Sequence, residues 1–257
     1  MEYGICNLGS IPARAEASDK AEIVTHVLFG EHFEILEQEE KWLKIKLFLD
    51  KYEAWICQKQ WLEITSNEFE DHSINSFPVV GQTNATVTNV NSGSKIPVTF
   101  GAVLPYFQNG HFRLRNEPYS YSGIIASNNT ADLTTYATSL LNVPYLWGGR
   151  GPMGIDCSGF TQLVYKLVGH SIPRDAYQQA ELGETISFVE LVEPGDLLFF
   201  DNQDGHINHV GIALSSEEII HSSGCVRIDK IDHEGIFMEK NKKYSHKLRL
   251  IKRVFGL

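Results

Sequence analysis

A glycine-rich loop, Tyr145-Leu-Trp-Gly-Gly-Arg-Gly-Pro-Met-Gly154, leads directly into Asp156-Cys-Ser-Gly-Phe160. After it Phe160, Leu163, Val164, Leu167 and Val168 recur at helical spacing, so a helix is predicted from the loop's end to Gly169. Asp156 has the side chain of an N-cap residue, which puts Cys157 in the first turn. There the partial positive charge of the helix end favours a thiolate over a thiol. A loop poor in side chains that delivers a cysteine to a helix start is a place for a nucleophile. A lone cysteine is just as often a small buried hydrophobe, and the rest of the chain has to decide between the two.

The chain has 257 residues, room for one large domain or two to three small ones. Its formal charge of −10 argues against a nucleic-acid partner and suits a cationic or zwitterionic substrate. Cys6, Cys57, Cys157 and Cys225 lie far apart and form no CxxC pair, so a zinc ribbon or a redox motif is not expected. No apolar run reaches bilayer length, and no membrane partner is expected. The N-terminus lacks a basic segment followed by an apolar core, and the expectation is a cytoplasmic protein with reduced cysteines.

From Ile11 to about Ile64, short apolar runs are cut by charged residues and glycines, the pattern of a small β-barrel. Pro12-x-Arg14, Phe29-Gly30-Glu31, Trp42-x-Lys-Ile45 and Tyr52-x-x-Trp55-Ile56 resemble, in that order, bacterial SH3-like domains. Asn67 to Asn75 is acidic and polar and reads as a linker. Strands near Ala85–Thr88, Ile96–Phe100 and His111–Arg115 then suggest a second, degenerate module of the same kind. A long insertion into the first module is the competing reading. The expected organisation is 1–66, 67–125 and 126–257.

The last segment reads as helices followed by strands. Asn128-Asn-Thr130 caps a predicted helix to Leu141, and Ala176 to Leu182 gives another after Ser171-Ile-Pro-Arg-Asp175. Leu197–Phe200, His209–Leu214 and Glu218–Ser223 are predicted strands, and Val226–Ile228 and Leu248–Val254 would add two more. Helices first and then an antiparallel meander argue for the α+β class.

A thiol nucleophile needs a base, and the base needs a group that holds its tautomer. If the strands carrying His209 and His221 are antiparallel neighbours, both imidazoles can serve Cys157, and the Cys157 N–H can stabilise an oxyanion. His206 is close by as another base, and zinc held by Cys157, His206 or His209, His221 and Cys225 is the other chemistry these residue types allow.

Asp156-Cys-Ser-Gly-Phe160, Pro194-Gly-Asp-Leu-Leu-Phe-Phe200, His209-Val-Gly-Ile-Ala213 and Ile220-His-Ser222 resemble, in order, the NlpC family of papain-like cell-wall cysteine peptidases. The resemblance implies helices packed on an antiparallel sheet, with Cys157 as nucleophile, His209 as base and His221 orienting it, and no cofactor or metal. Tyr145-x-Trp-Gly-Gly149 before the cysteine, Asp156 and Ser158 beside it and Arg174-Asp175 after the helix give a closer likeness to the subgroup with N-terminal SH3-like domains, the γ-D-glutamyl-L-diamino acid endopeptidases of dipeptidyl-peptidase VI type. That likeness implies a monomer cutting murein tripeptides or tetrapeptides, L-Ala-γ-D-Glu-diamino acid, that carry a free N-terminal alanine. It places Tyr145, Asp156, Ser158 and Asp175 in the substrate site, with Asp175 pairing the alanine ammonium and Glu31 and Tyr52 closing the groove. Ala176 stands where a relative carries a hydroxyl. A wall-binding module with an inactive or repurposed peptidase fold, or another thiol amidase or acyltransferase, is the alternative.

Overall fold

The structure is a computed structural model and describes residues 2–255. The chain divides into two compact units, with the break between Ser127 and Asn128.

In the N-terminal unit, β1 (Glu2–Ile5), β2 (Ser10–Arg14), β3 (Ile23–Leu28), β4 (His32–Gln38), β5 (Trp42–Leu47), β6 (Glu53–Cys57) and β7 (Leu62–Ile64) form one antiparallel sheet. Its order is β3-β2-β6-β5-β4-β1-β7. Alternation decides which face is buried: Leu43, Ile45 and Leu47 of β5 point inward, and Trp42, Lys44 and Lys46 stay partly exposed. The inward residues pack with Cys6, Ile11, Val27, Phe33 and Ile56. Burial pushes the Cys6 thiol up to about 12, so this cysteine behaves as a core hydrophobe.

The stretch expected to be a linker is a helix, α1 (Ser66–Ile74). Thr65 and Glu68 form a reciprocal capping box: the Thr65 N–H donates to Glu68 Oε2 at 2.8 Å and the Glu68 N–H to Thr65 Oγ1 at 3.2 Å. Phe69 and His72 are its buried side chains. Polarity alone had hidden the cap and the single apolar anchor.

Next, β8 (Ala85–Asn89), β9 (Lys95–Val98), β10 (His111–Leu114) and β11 (Glu117–Ser120) make a four-stranded antiparallel sheet of order β10-β11-β8-β9. It is a separate ladder but shares a core with the first sheet: Ile5, Phe29, Ile64 and Phe69 pack with Val80, Val87, Leu104, Phe112 and Leu114. Phe29-Gly30 is the joint. The Phe29 carbonyl accepts from the Val103 N–H at 2.7 Å. Gly30 sits at φ +77, where a Cβ would lie 2.1 Å from the Val103 carbonyl oxygen.

In the C-terminal unit, a 3-10 turn over Thr130–Asp132 precedes α2 (Leu133–Ser139). The glycine loop forms a minimal hairpin of β12 (Arg150–Gly151) and β13 (Gly154–Ile155). Helix α3 (Cys157–Leu167) follows, then a short α4 (Ala176–Gln179) where a longer helix was expected. The strands are β14 (Glu184–Ile186), β15 (Leu197–Asp201), β16 (Ile207–Ala213), β17 (Glu218–Ser223), β18 (Cys225–Ile231), β19 (Gly235–Met238) and β20 (Lys243–Arg253).

The sheet runs β14-β20-β15-β16-β17-β18-β19, and β19 also pairs with β20. That extra pairing closes six strands into a barrel and leaves β14 on its rim. Closure removes the exposed edges an open meander would carry. Leu198, Phe200, Ala213, Ile219, Ile231, Ile236 and Ile251 form its core. Helix α3 is buried along its whole length and packs against β16. Arg253 grips Asp196 with two hydrogen bonds, Nε to Oδ1 at 2.9 Å and Nη2 to Oδ2 at 2.8 Å, tying the end of β20 to the start of β15.

Candidate active site

The start of α3 is built by Asp156. Its Oδ1 accepts from the Gly159 N–H at 2.7 Å, the N-cap bond, and its Oδ2 from the Gly148 N–H at 2.8 Å. The loop and the helix start approach so closely that a Cβ at Gly159 would lie 2.3 Å from the Gly149 carbonyl oxygen. Arg174 closes the cluster: its guanidinium reaches Asp156 at 3.1 and 2.5 Å and Ser158 Oγ at 2.8 Å. All three side chains are buried. Asp156 and Ser158, expected to line the substrate site, are thus engaged with Arg174 and the backbone beneath Cys157.

Cys157 is 7% exposed. Its sulfur takes hydrogen bonds from the backbone of Val210 and of Ser158, which favour the thiolate. Burial, reinforced by the Asp156 charge, outweighs them and pushes the thiol up to about 11. The expected resting thiolate is therefore overturned. At neutral pH the sulfur keeps its proton until a base removes it.

Val210, whose backbone reaches the sulfur, follows His209 directly, so one strand, β16, carries both the contact to Cys157 and the candidate base. Gly211 pairs with His221 across β16 and β17, and His221 with Arg227 across β17 and β18. His209 is two residues from Gly211, and Asp229 two from Arg227. All three polar side chains therefore share one face as diagonal neighbours, within reach of long side chains. Gly211 clears the way, since a Cβ there would lie 2.8 Å from the His221 Cβ.

The result is a relay. His209 Nε2 and His221 Nδ1 stand 2.7 Å apart, and His221 Nε2 lies 3.0 Å from Asp229 Oδ2. Asp229 Oδ1 accepts from Arg227 Nη2 at 2.6 Å. The Asp229 carboxyl is held below its usual range: its hydrogen bonds to His221 and Arg227 overcome the burial that opposes them. An ionised carboxylate only accepts, so His221 Nε2 carries a proton and the neutral ring presents a bare Nδ1. His209 Nε2 donates to it. His209 Nδ1 is then the ring's lone pair, outside the relay. Burial and the neighbouring His221 and His246 hold His209 well below the ordinary histidine range, so the ring is neutral.

Other expected residues fall as follows. Tyr145 borders the sulfur: burial, then the charges at Cys157 and Asp156, push its phenol up to about 12, so it stays a hydrogen-bond donor. Asp175 is half-buried at the start of α4, and its N–H donates to Gln178 Oε1 at 3.4 Å. Glu31 is buried in the turn between β3 and β4, where its Oε2 accepts from the Leu28 N–H at 2.8 Å. Tyr52 is half-buried beside the turn between β5 and β6 and packs on the first core. His206 is exposed in the turn before β16, whereas His209 is the ring joined to His221. Both nitrogens of His221 serve the relay, so the zinc set does not assemble. Among the described residues no group of three or more His, Cys, Asp or Glu is placed to hold a metal. Asp229, Arg227 and His246 were missed because only strand register brings them here.

Residues 142–246 match the NlpC/P60 family, and residues 13–60 match the bacterial dipeptidyl-peptidase Sh3 domain. The chain is 30% identical to a γ-D-glutamyl-L-lysine dipeptidyl-peptidase of Bacillus subtilis (strain 168), over 78% of this chain and 72% of that one. It belongs to the NlpC/P60 family. A second such dipeptidyl-peptidase, from Bacillus cereus, is 27% identical over 77% of this chain and 66% of its own length. A crystal structure of an NlpC/P60 family protein from Bacillus cereus ATCC 10987 superposes with a TM-score of 0.81 over 99% of this chain and 100% of that one, at 20% identity, which speaks for the fold. The chain is thus an NlpC/P60 cysteine peptidase of the α+β class, its peptidase domain preceded by SH3-like sheets.

Proposed function

We propose that this NlpC/P60 peptidase hydrolyses the γ-D-glutamyl–diamino acid bond of peptidoglycan stem peptides that carry a free N-terminal L-alanine. Likeness to γ-D-glutamyl-L-lysine dipeptidyl-peptidases over most of both chains supports the bond. The observation that supports the chemistry is the relay from Asp229 through His221 to His209, which engages His209 Nε2 and leaves Nδ1 as the nitrogen for the thiol.

Cys157 Sγ attacks the γ-amide carbonyl carbon while its proton passes to His209 Nδ1. The oxygen gains negative charge facing the N–H of Cys157 at the mouth of α3. His209, now imidazolium, gives the proton to the amine of the diamino acid as the C–N bond breaks. The remaining L-Ala-γ-D-Glu is held as a thioester. Water, deprotonated by His209, releases it and restores the thiol. Asp175 pairs with the alanine ammonium, so a capped or wall-anchored stem is refused. Such a specificity suits the recycling of released murein peptides in the cytoplasm.

The test is mass spectrometry of products from L-Ala-γ-D-Glu-meso-diaminopimelate, its L-lysine counterpart and their N-acetyl forms. Release of L-Ala-γ-D-Glu from the free-amine peptides alone, abolished by Cys157→Ala, is the expected result. Equal cutting of the acetylated peptides, or none of any, overturns the proposal.

A further inference from the structure

Outside the relay, one ring lies against the base itself. His246 of β20 is stacked on His209, with centroids 4.2 Å apart and planes 22° from parallel. It also meets His221 edge-on at 6.0 Å and Phe200 at 5.9 Å. Its Nδ1 lies 2.9 Å from Ser245 Oγ. The His209 ring is thus held at its Nε2 edge by His221 and on one face by His246. An imidazole bonded through a single nitrogen can still rotate about that bond. A flat ring across its face stops this rotation, and the aim of Nδ1 depends on it.

We propose that His246 is a positioning residue for His209: its ring, flat against the base, holds His209 at the angle where Nδ1 meets the Cys157 thiol. The inference rests on the reading of His209 as the base. The stack must also stay uncharged, since a cation there would oppose the imidazolium that forms at His209. The groups facing His246 are Phe200 of β15, His209 of β16, His221 of β17 and Asp229 of β18, with Ser245 beside it. Burial and His221 win over the attraction of Asp229 and bring His246 down to about 4. On its other side the ring borders a surface depression of about 530 Å³ with His233, Glu234, Tyr244 and Lys247, open to solvent and clear of the relay.

The experiment uses the full chain with His246→Ala, which removes the plate, and His246→Phe, which keeps a flat ring without a titrating nitrogen. Thermal melts check folding. On the free-amine tripeptide His246→Ala lowers kcat about tenfold or more with KM within about twofold, and His246→Phe restores kcat to within about threefold. A second readout needs no substrate. Alkylation by iodoacetamide, read at the Cys157 peptide because Cys57 and Cys225 are also partly exposed, is expected to show a pH-independent plateau from proton transfer to His209. That plateau is lost in His209→Ala, lowered in His246→Ala and kept in His246→Phe. Three outcomes overturn the inference: His246→Ala with unchanged kcat and plateau, a loss confined to KM, or His246→Phe as damaged as His246→Ala. Should His209→Ala itself keep activity and plateau, the reading of the base fails instead.

Discussion

His221 bridges His209 and Asp229 with both of its ring nitrogens, at 2.7 Å on one side and 3.0 Å on the other. Its proton must sit on the nitrogen facing the carboxylate, so the tautomer of the base is decided two residues away. Asp229→Asn tests this. Arg227 can only donate, so it claims the amide oxygen and turns the amide nitrogen toward His221. That reverses the proton on His221 and then on His209, whose Nδ1 becomes a donor facing the thiol. The expected result is a fall in kcat of about 10²–10⁴-fold with little change in KM. Asp229→Ala, which imposes no tautomer, should lose less, and an equal loss would contradict the argument.

Acid should destabilise the C-terminal unit before it protonates carboxylates. His209 and His246 are both held below 6.5 in the fold, chiefly by burial. The unfolded chain then binds more protons, so their contribution is full above about pH 6.5 and declines as pH falls toward their folded values. His209 alone gives about 1.4 kcal/mol per pH unit over that window, and half-buried His246 adds a smaller share. Urea midpoints from pH 7 to 4.5 should fall accordingly, and His246→Phe should reduce the slope. A flat profile would show that these rings titrate normally.

Much of this arrangement was legible in the sequence, and what was not has a physical pattern. Asp156 at the N-cap and the apolar stripe from Phe160 to Val168 are local, and they marked α3 within two residues of its observed span. The strands of His209 and His221 could be read because Val210–Ala213 and Ile219–Ile220 are apolar and a short turn joins them. Asp229 and His246 could not, since each depends on a register between strands that apolar runs do not specify. β20 pairs with β15 from about fifty residues away in the chain, and its side toward β19 reads as a polar, lysine-rich loop. α1 was passed over for the same reason that α4 was overextended: a cap decides a short helix more than composition does.

Gly211 should tolerate no side chain. A Cβ there would lie 2.6 Å from Ile219 Cδ1 and 2.8 Å from the His221 Cβ, and the latter cannot move without its strand. Gly211→Ala is expected to cost about 1–3 kcal/mol of stability by overpacking. It should lower kcat as well, because the shift falls on His221, while Cys157 remains open to alkylation. Wild-type kcat in this variant would mean that the relay does not depend on the gap.

Arg174 carries the loop and the helix start together, and lysine cannot replace it. One guanidinium spans both Asp156 oxygens and Ser158 Oγ inside the protein, and an ammonium lacks that fork. Arg174→Lys should leave part of the Asp156 charge unmatched. Arg174→Met, which leaves the buried carboxylate only its backbone N–H donors at Gly148 and Gly159, should cost about 3–5 kcal/mol. Chemical unfolding measures both, and a variant with Asp156→Asn in addition should recover part of the loss.

The proposed pairing of Asp175 with the alanine ammonium can be tested apart from the chemistry. It lies half-buried at the start of α4, where it shares a capping box with Gln178, while the neighbouring Arg174 guanidinium reaches Asp156. Asp175→Asn should raise KM for the free-amine tripeptide about tenfold or more, the scale of a lost charge-assisted hydrogen bond, with kcat within a few-fold. It should also narrow the preference for free over N-acetylated peptide, because the wild type loses that ion pair on acetylation and the variant has none to lose. If the preference persists unchanged in Asp175→Asn while Cys157→Ala remains inactive, another group reads the amine.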